Sequence, residues 1–269
     1  MKFYKMSFVK RKIRTLCWKI FNYIENNNNT NFERNGEKLF LESMIMFYVE
    51  NNCKELIIFD VGANVGNYSK MLMSLLKNKK LNYKFYLFEP TKSCCEVLNK
   101  TFNDKNIQIN CFGLSDEEKI TEIYFDEEKS GLASLYKRKL DHYDINFEKS
   151  ELVMLKRADK FIESIGLSHI NLVKIDVEGH EIKVLKGFGR FLCSDFIDFI
   201  QFEYGGAFLD SHTNLIDIYY LLENCGFKIA KIMPRGLEIR DYAPYMEIFQ
   251  YSNYVAISQR ILDNINIEC

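Results

Sequence analysis

The chain has almost no net charge, few histidines and no long apolar stretch, and each shortage excludes something. Thirty-six basic residues against 37 acidic ones leave a formal net charge of −1. No whole-molecule positive field favours nucleic acid, and no nucleic-acid partner is expected. No apolar run approaches the roughly 18 residues that a membrane span needs, and the N-terminus lacks both a clean apolar stretch and the small-residue cleavage site of a secretory signal. The expected location is cytoplasmic. The four histidines make no HxH or HExxH cluster. The eight cysteines, at 17, 53, 94, 95, 111, 193, 225 and 269, include no CxxC pair and no zinc-like spacing. They are read as reduced thiols of a cytosolic protein.

What is present suits a catalytic domain with an N-terminal appendage. Hydrophobic residues make up 47% of the 269 and aromatic ones 14%, ample for a core. The charge is unevenly spread. Residues 1–24 hold Lys2, Lys5, Lys10, Arg11, Lys12, Arg14 and Lys19 and no acid, which leaves −8 on the remainder. In the same segment Met6, Val9, Ile13, Leu16, Ile20 and Ile24 recur at helical spacing, so the first 25 residues read as a basic amphipathic helix. The plainest expectation is that it packs on its own domain. A partner or the anionic inner face of a membrane is the alternative. Asn26 to Asn29 form a polar linker, setting residues 1–30 apart from a domain over 31–269.

In that domain, apolar strand runs at 56–59, 83–88, 107–112, 170–175 and 197–202 alternate with helical patterns, implying a parallel sheet covered on both faces. An insertion over 113–158 contains short strand-like runs near 120–125 and 152–155. Its acid-rich stretch over 126–149 reads as a loop long enough to be a lid or substrate-binding element. A helix over 214–224 stops at Gly226, and runs at 227–232 and 254–257 suit an antiparallel hairpin at the sheet edge.

Ligands of open α/β sheets bind beyond the carboxyl ends of the strands. The stretch IIFDVGANVG, Ile57 to Gly66, ends a strand at Asp60 and turns through Gly62, Asn64 and Gly66 into a helix, an arrangement that brings backbone close to a nucleoside cofactor. The next strand ends at Glu89, where a carboxylate accepts hydrogen bonds from ribose hydroxyls. Asp176 ends the fourth strand and is the first choice for the reacting centre. Glu178, His180 and Glu203 are candidates for base or substrate-orienting roles, and His180 has the unperturbed pKa best suited to proton transfer near neutrality. Each has a plainer reading: Glu178 and Gly179 as the turn that starts a helix over 181–186, His180 as a helix-start residue, and Glu203 as one half of an ion pair. Asp176 and Glu203 on neighbouring strands would also offer hard oxygen ligands to magnesium or calcium, and metal dependence is left open. Gly62 to Gly66 lacks the full GxGxxG spacing because residue 64 is asparagine. A nicotinamide-dependent oxidoreductase is therefore the second reading, and a non-catalytic scaffold the third.

The combination of FDVGANVG, LFEP, GLSD and LVKIDVEGHEIKVLKG (Leu172 to Gly187) resembles the FkbM family of S-adenosylmethionine-dependent methyltransferases, over about residues 55–205 with weaker support to 258. The resemblance implies an α/β, Rossmann-like class I methyltransferase fold: a seven-stranded, mostly parallel sheet with helices on both faces and an antiparallel edge hairpin. It also implies that Asp60, Gly62 and Asn64 lie near the methionine part of S-adenosyl-L-methionine, that Glu89 holds the ribose, and that Leu114, Ser115 and Asp116 flank the adenine. Where the family has Leu-Asp before a helix, this chain has Arg157-Ala158-Asp159, which keeps the acid and loses the leucine. The implied reaction is O-methyl transfer. A sugar hydroxyl of a surface glycan is the expected acceptor, with Tyr136, Tyr143, Tyr204 and Phe208 as candidate stacking partners.

Overall fold

A computed structural model describes residue 1 and residues 3–264. In chain order the helices are α1 (Phe8–Ile24), α2 (Glu37–Glu50), α3 (Asn67–Leu76), α4 (Lys92–Thr101), α5 (Ala158–Ile165), α6 (Glu181–Gly187), α7 (Ala207–Ser211), α8 (Leu215–Asn224) and α9 (Gln259–Leu262). The strands are β1 (Glu55–Val61), β2 (Asn82–Phe88), β3 (Ile107–Asn110), β4 (Gly113–Ser115), β5 (Lys119–Phe125), β6 (Lys149–Arg157), β7 (Ile170–Ile175), β8 (Ile197–Tyr204), β9 (Phe227–Met233), β10 (Gly236–Ile239) and β11 (Ser252–Ser258).

Successive strand residues point to opposite faces, which is why near-continuous apolar runs are buried on both. Ile57, Phe59 and Val61 of β1 join a core layer with α5, α6 and α8. Leu56 and Ile58 join the other layer with α2 and α3. The main sheet has the order β10-β9-β11-β8-β7-β1-β2-β3. From β8 through β3 neighbouring strands run parallel. β11 is antiparallel to both β8 and β9. The order reverses between β1 and β7, so the loops after these two strands open onto one crevice.

Three expectations are corrected. Among the described residues the main sheet has eight strands, not seven, because β10 folds back on β9 through a turn at Pro234 and Arg235 and adds an outer edge; its four residues, two half-buried and two exposed, carry no strand-length apolar pattern. Cys95 and Cys111 form a disulfide joining α4 to the end of β3, across 5.9 Å between Cα atoms, so these two are not free thiols. α1 forms as expected but does not pack its apolar side on the domain: Val9, Ile13, Leu16, Ile20 and Ile24 are all exposed. The insertion folds as a small sheet of its own, in the order β4-β6-β5.

Candidate active site

The turn after β1 is shaped by where the chain must pass. Gly62 has φ 84°, and a Cβ there would lie 1.9 Å from the backbone oxygen of Asp176, so only glycine lets the β1 and β7 loops meet. Beyond it the Gly62 and Ala63 amides donate to the Phe88 carbonyl at 2.9 and 3.1 Å, which locks the turn to β2. The Asn64 amide donates to Glu89 Oε2 at 2.8 Å. Its side chain caps the Val65 amide and donates to the Ser130 carbonyl of the insertion at 2.9 Å. Gly66, at φ 81°, closes the turn into α3, with Phe102 where a side chain would sit.

Glu89 is buried at the end of β2, and its Oε1 also accepts from the Thr91 amide and hydroxyl at 2.8 and 2.7 Å. Burial pushes its carboxyl up despite these donors. Glu89 faces a cavity of about 370 Å3, whose opposite wall comes from the insertion through Ile123, Ser130, Leu135 and Leu155. Leu114 lines it, as expected; Ser115 and Asp116 do not. Ser115 bonds to His180, and Asp116 pairs with Lys183 at 2.8 Å. Asp60 also stays outside this cavity. It lies buried beneath the turn, accepts from Ser69 Oγ at 2.6 Å, and is pushed up to about 6 by burial.

The loop after β7 brings the acids to the same cavity. Asp176, Val177 and Glu178 line it beside Gly62 and Asn64. The Asp176 side chain, 38% exposed, accepts from Lys174 Nζ at 3.0 Å. Lys174 stands two residues earlier on the same face of β7 and is buried. Its neighbours Asp176, Glu37 and Glu203 hold it charged against the cost of burial. Glu178 lies at φ 50° and pairs with Arg138 of the insertion at 2.6 Å. Burial, and then the nearby Asp176 charge, push its carboxyl up to about 8. Glu203, at the end of β8, is pushed up by the same two causes. Oxygens of Asp176, Glu178 and Glu203 lie within 4.8 Å of one another, a spacing at which carboxylates can share a divalent ion or a set of hydroxyl groups.

His180 lines the cavity but is poorly placed as a base. Its Nε2 shares a hydrogen bond with Ser115 Oγ at 2.9 Å, and its Nδ1 shares one with the Tyr136 hydroxyl at 3.0 Å. Burial lowers its pKa to about 4. The ring is a neutral strut between β4, the insertion and α6. Glu181, next in sequence, caps its own loop by accepting from the Val177 and Gly179 amides at 3.1 and 3.3 Å. Of the aromatic candidates, Tyr204 and Phe208 are core residues with no face to offer. Tyr136 is engaged with His180, and Tyr143 is 68% exposed. At the departure from the family pattern, Ala158 is fully buried, and Asp159 is held by Arg157 Nε at 3.0 Å, away from the cavity.

Sequence reasoning missed Lys174 and Arg138. Lys174 had a signal, since a lone lysine in a run buried on both faces must find a carboxylate, and Asp176 shares its face. Arg138 had none, because it reaches Glu178 through the fold of an irregular loop. Phe32, from the segment after α1, also lines the cavity.

The cavity suits a nucleoside. Apolar walls at Leu114, Ile123 and Leu155 fit a base, and a buried carboxylate with unused acceptor capacity fits vicinal hydroxyls. Among curated proteins, Methyltransferase 1 of Beauveria bassiana (strain ARSEF 2860) is 27% identical over 203 residues, covering 70% of this chain and 76% of that protein. Solved structures give loose superpositions. A TehB-like S-adenosylmethionine-dependent methyltransferase from Corynebacterium glutamicum has a TM-score of 0.40 at 8% identity, covering 94% of this chain and 100% of its own. An S-adenosylmethionine-dependent methyltransferase from Listeria monocytogenes has 0.42 at 8%, covering 81% and 99%. Residues 60–229 match the Methyltransferase FkbM domain, and with more than half of its length in that match the chain belongs to the FkbM family of S-adenosylmethionine-dependent methyltransferases.

Proposed function

We propose that the protein is an O-methyltransferase whose acceptor is a sugar-like molecule with several neighbouring hydroxyl groups, as in a glycan or glycoconjugate. The observation that carries this reading is the set of three carboxylates, Asp176, Glu178 and Glu203, whose oxygens lie within 4.8 Å of one another; Asp176 and Glu178 line the Glu89 cavity, and Glu203 does not. Carboxylates in such a group accept from several hydroxyls at once and so orient a polyol. S-adenosylmethionine, when bound, supplies a methyl group on a sulfonium that is already a strong electrophile.

The protein's own task is therefore alignment, exclusion of water and removal of one proton. Glu89 would accept from the ribose hydroxyls, with Leu114, Ile123 and Leu155 around the adenine and Gly62 to Asn64 along the methionine part. Asp176, fixed by Lys174 Nζ, orients the acceptor hydroxyl. The Glu178–Glu203 pair, whose carboxyls burial pushes up, would take the acceptor's proton as the methyl carbon–sulfur bond gives way to the new C–O bond. Arg138 is a positioning residue that holds Glu178. The insertion, tied to the donor turn by Asn64 and to the acid loop by Arg138, closes the site over both substrates.

The test is transfer of label from S-adenosylmethionine into candidate glycans and glycosides, with Asp176→Asn beside the wild type. Loss of about a hundredfold or more in the variant is expected; a fully active Asp176→Asn would sink the assignment. A second reading, favoured by the same 4.8 Å spacing, is a divalent ion held by the three carboxylates. Lys174 and Arg138 already supply two positive charges there, so we expect activity to survive dialysis against EDTA. Loss of activity that magnesium restores would favour the ion.

A further inference from the structure

The N-terminal helix presents two features that the catalytic reading does not use. At 3.6 residues per turn, Val9, Ile13, Leu16, Ile20, Tyr23 and Ile24 share one side of α1, and each is between 49% and 87% exposed. Lys10 and Arg14 border that side on one flank, and Lys12 and Lys19 border it on the other. All four are exposed, and among the described residues none forms an ion pair with a carboxylate.

The domain holds α1 by its last turn alone, and Phe8 to Ile20 are exposed all round. Asn22 is buried, and Phe21 meets Tyr245 edge-on at 6.4 Å. Just past the helix, Glu25 pairs with Lys231 at 3.2 Å and with Arg240, and the Asn28 amide donates to the Tyr251 carbonyl at 2.9 Å. The segment then continues to Phe32 in the cavity wall. The helix is thus tied to the catalytic domain at its C-terminal end and leaves its apolar side uncovered.

We propose that α1 is a membrane-docking surface that lies in the interface of a bilayer rich in anionic lipid. The apolar side enters the boundary between headgroups and acyl chains, and the flanking lysines and arginine reach up to lipid phosphates. Charge selects this occupant over a second copy of the chain. Residues 1–24 carry seven basic residues and no acid, so pairing two such helices would set like charges together without a carboxylate between them. An anionic surface instead gains from each lysine and arginine near it. α1 does not cross the bilayer: no helix among the described residues is long and apolar enough to span a membrane.

The experiment uses the full-length protein with vesicles of phosphatidylcholine, alone or mixed with phosphatidylglycerol, read by co-sedimentation. Binding to the mixed vesicles and not to phosphatidylcholine alone is expected. Lys10→Glu with Arg14→Glu, and separately Leu16→Asp with Ile20→Asp, should each weaken binding about tenfold or more. Unchanged S-adenosylhomocysteine affinity in both would show that the domain stays folded. The single tryptophan, Trp18, lies off the apolar side and stacks on Phe21 at 6.0 Å. Leu16→Trp in a Trp18→Phe background should therefore be quenched by brominated lipid more strongly than the wild type. Failure to bind mixed vesicles at low salt would overturn the proposal. So would a stable dimer in light scattering that Leu16→Asp with Ile20→Asp dissolves, since that would assign the face to a second copy.

Discussion

His180 and the Glu178–Glu203 pair titrate in opposite directions, and that difference separates scaffold from chemistry at the residue scale. The folded value of His180, about 4, lies below its ordinary value of 6.5. Its contribution to stability is complete above about pH 6.5 and is lost as pH falls through 4. The stability gap between wild type and His180→Gln should therefore narrow by about 2–3 kcal/mol between pH 7 and pH 4.5, measured by urea unfolding. Turnover by His180→Gln should stay within a few-fold of wild type, because the ring is a strut. Glu178 is shifted the other way, to about 8. It supports folding fully below the ordinary glutamate range and loses that contribution as pH rises toward 8, while the same loss of a proton would supply the base in the proposed mechanism. The kcat/KM profile should accordingly rise with pH up to about 8. Arg138→Ala should move that limb to higher pH, because the guanidinium favours the ionised carboxylate; a flat profile in both proteins would remove the pair from the mechanism. Asp176 and Glu89 were legible as acids at strand ends. The engagement of both nitrogens of His180 was not, since it depends on Ser115 and Tyr136, distant in sequence and joined to it only by the fold.

At the scale of elements, the site depends on two loops meeting and on an insertion closing over them. Gly62→Ala would drive a methyl group to 1.9 Å from the Asp176 carbonyl at a positive φ. The β1 and β7 loops would have to part, so S-adenosylhomocysteine affinity should fall about tenfold or more, with a lower Tm. A wild-type affinity in this variant would show that the meeting of the loops is not needed. The disulfide between Cys95 and Cys111 closes a loop with a sequence separation of 16. Reducing it, or replacing Cys95 with serine, should cost about 3 kcal/mol of stability with little change in cofactor affinity. The strands of the main sheet were readable because burial on both faces demands apolar runs. β4 and β10 were not, since three and four residues are too few to carry a period. The start of β6 at Lys149 was hidden for another reason: its exposed first residues carry charge and read as loop.

For the molecule as a whole, the order of strands brings the turn after β1 and the acid loop after β7, the proposed donor and acceptor halves, to one crevice, and an appended helix extends from the same domain. The amphipathic pattern of α1 was visible in the sequence, but its environment was not: periodicity gives a helix its sides and does not say what covers them. Deleting residues 1–24 should leave S-adenosylhomocysteine binding intact, because the ion pairs to the domain begin at Glu25 and the Glu89 cavity takes nothing from α1. In the proposed mechanism Glu89 anchors the donor while Asp176 works on the acceptor. Calorimetric titration of S-adenosylhomocysteine into the wild type, Glu89→Ala and Asp176→Asn tests it most directly. Tight binding by the wild type and by Asp176→Asn is expected, with weakening of about a hundredfold in Glu89→Ala. Equal binding by Glu89→Ala, or tight binding of NAD with none of S-adenosylhomocysteine, would contradict it.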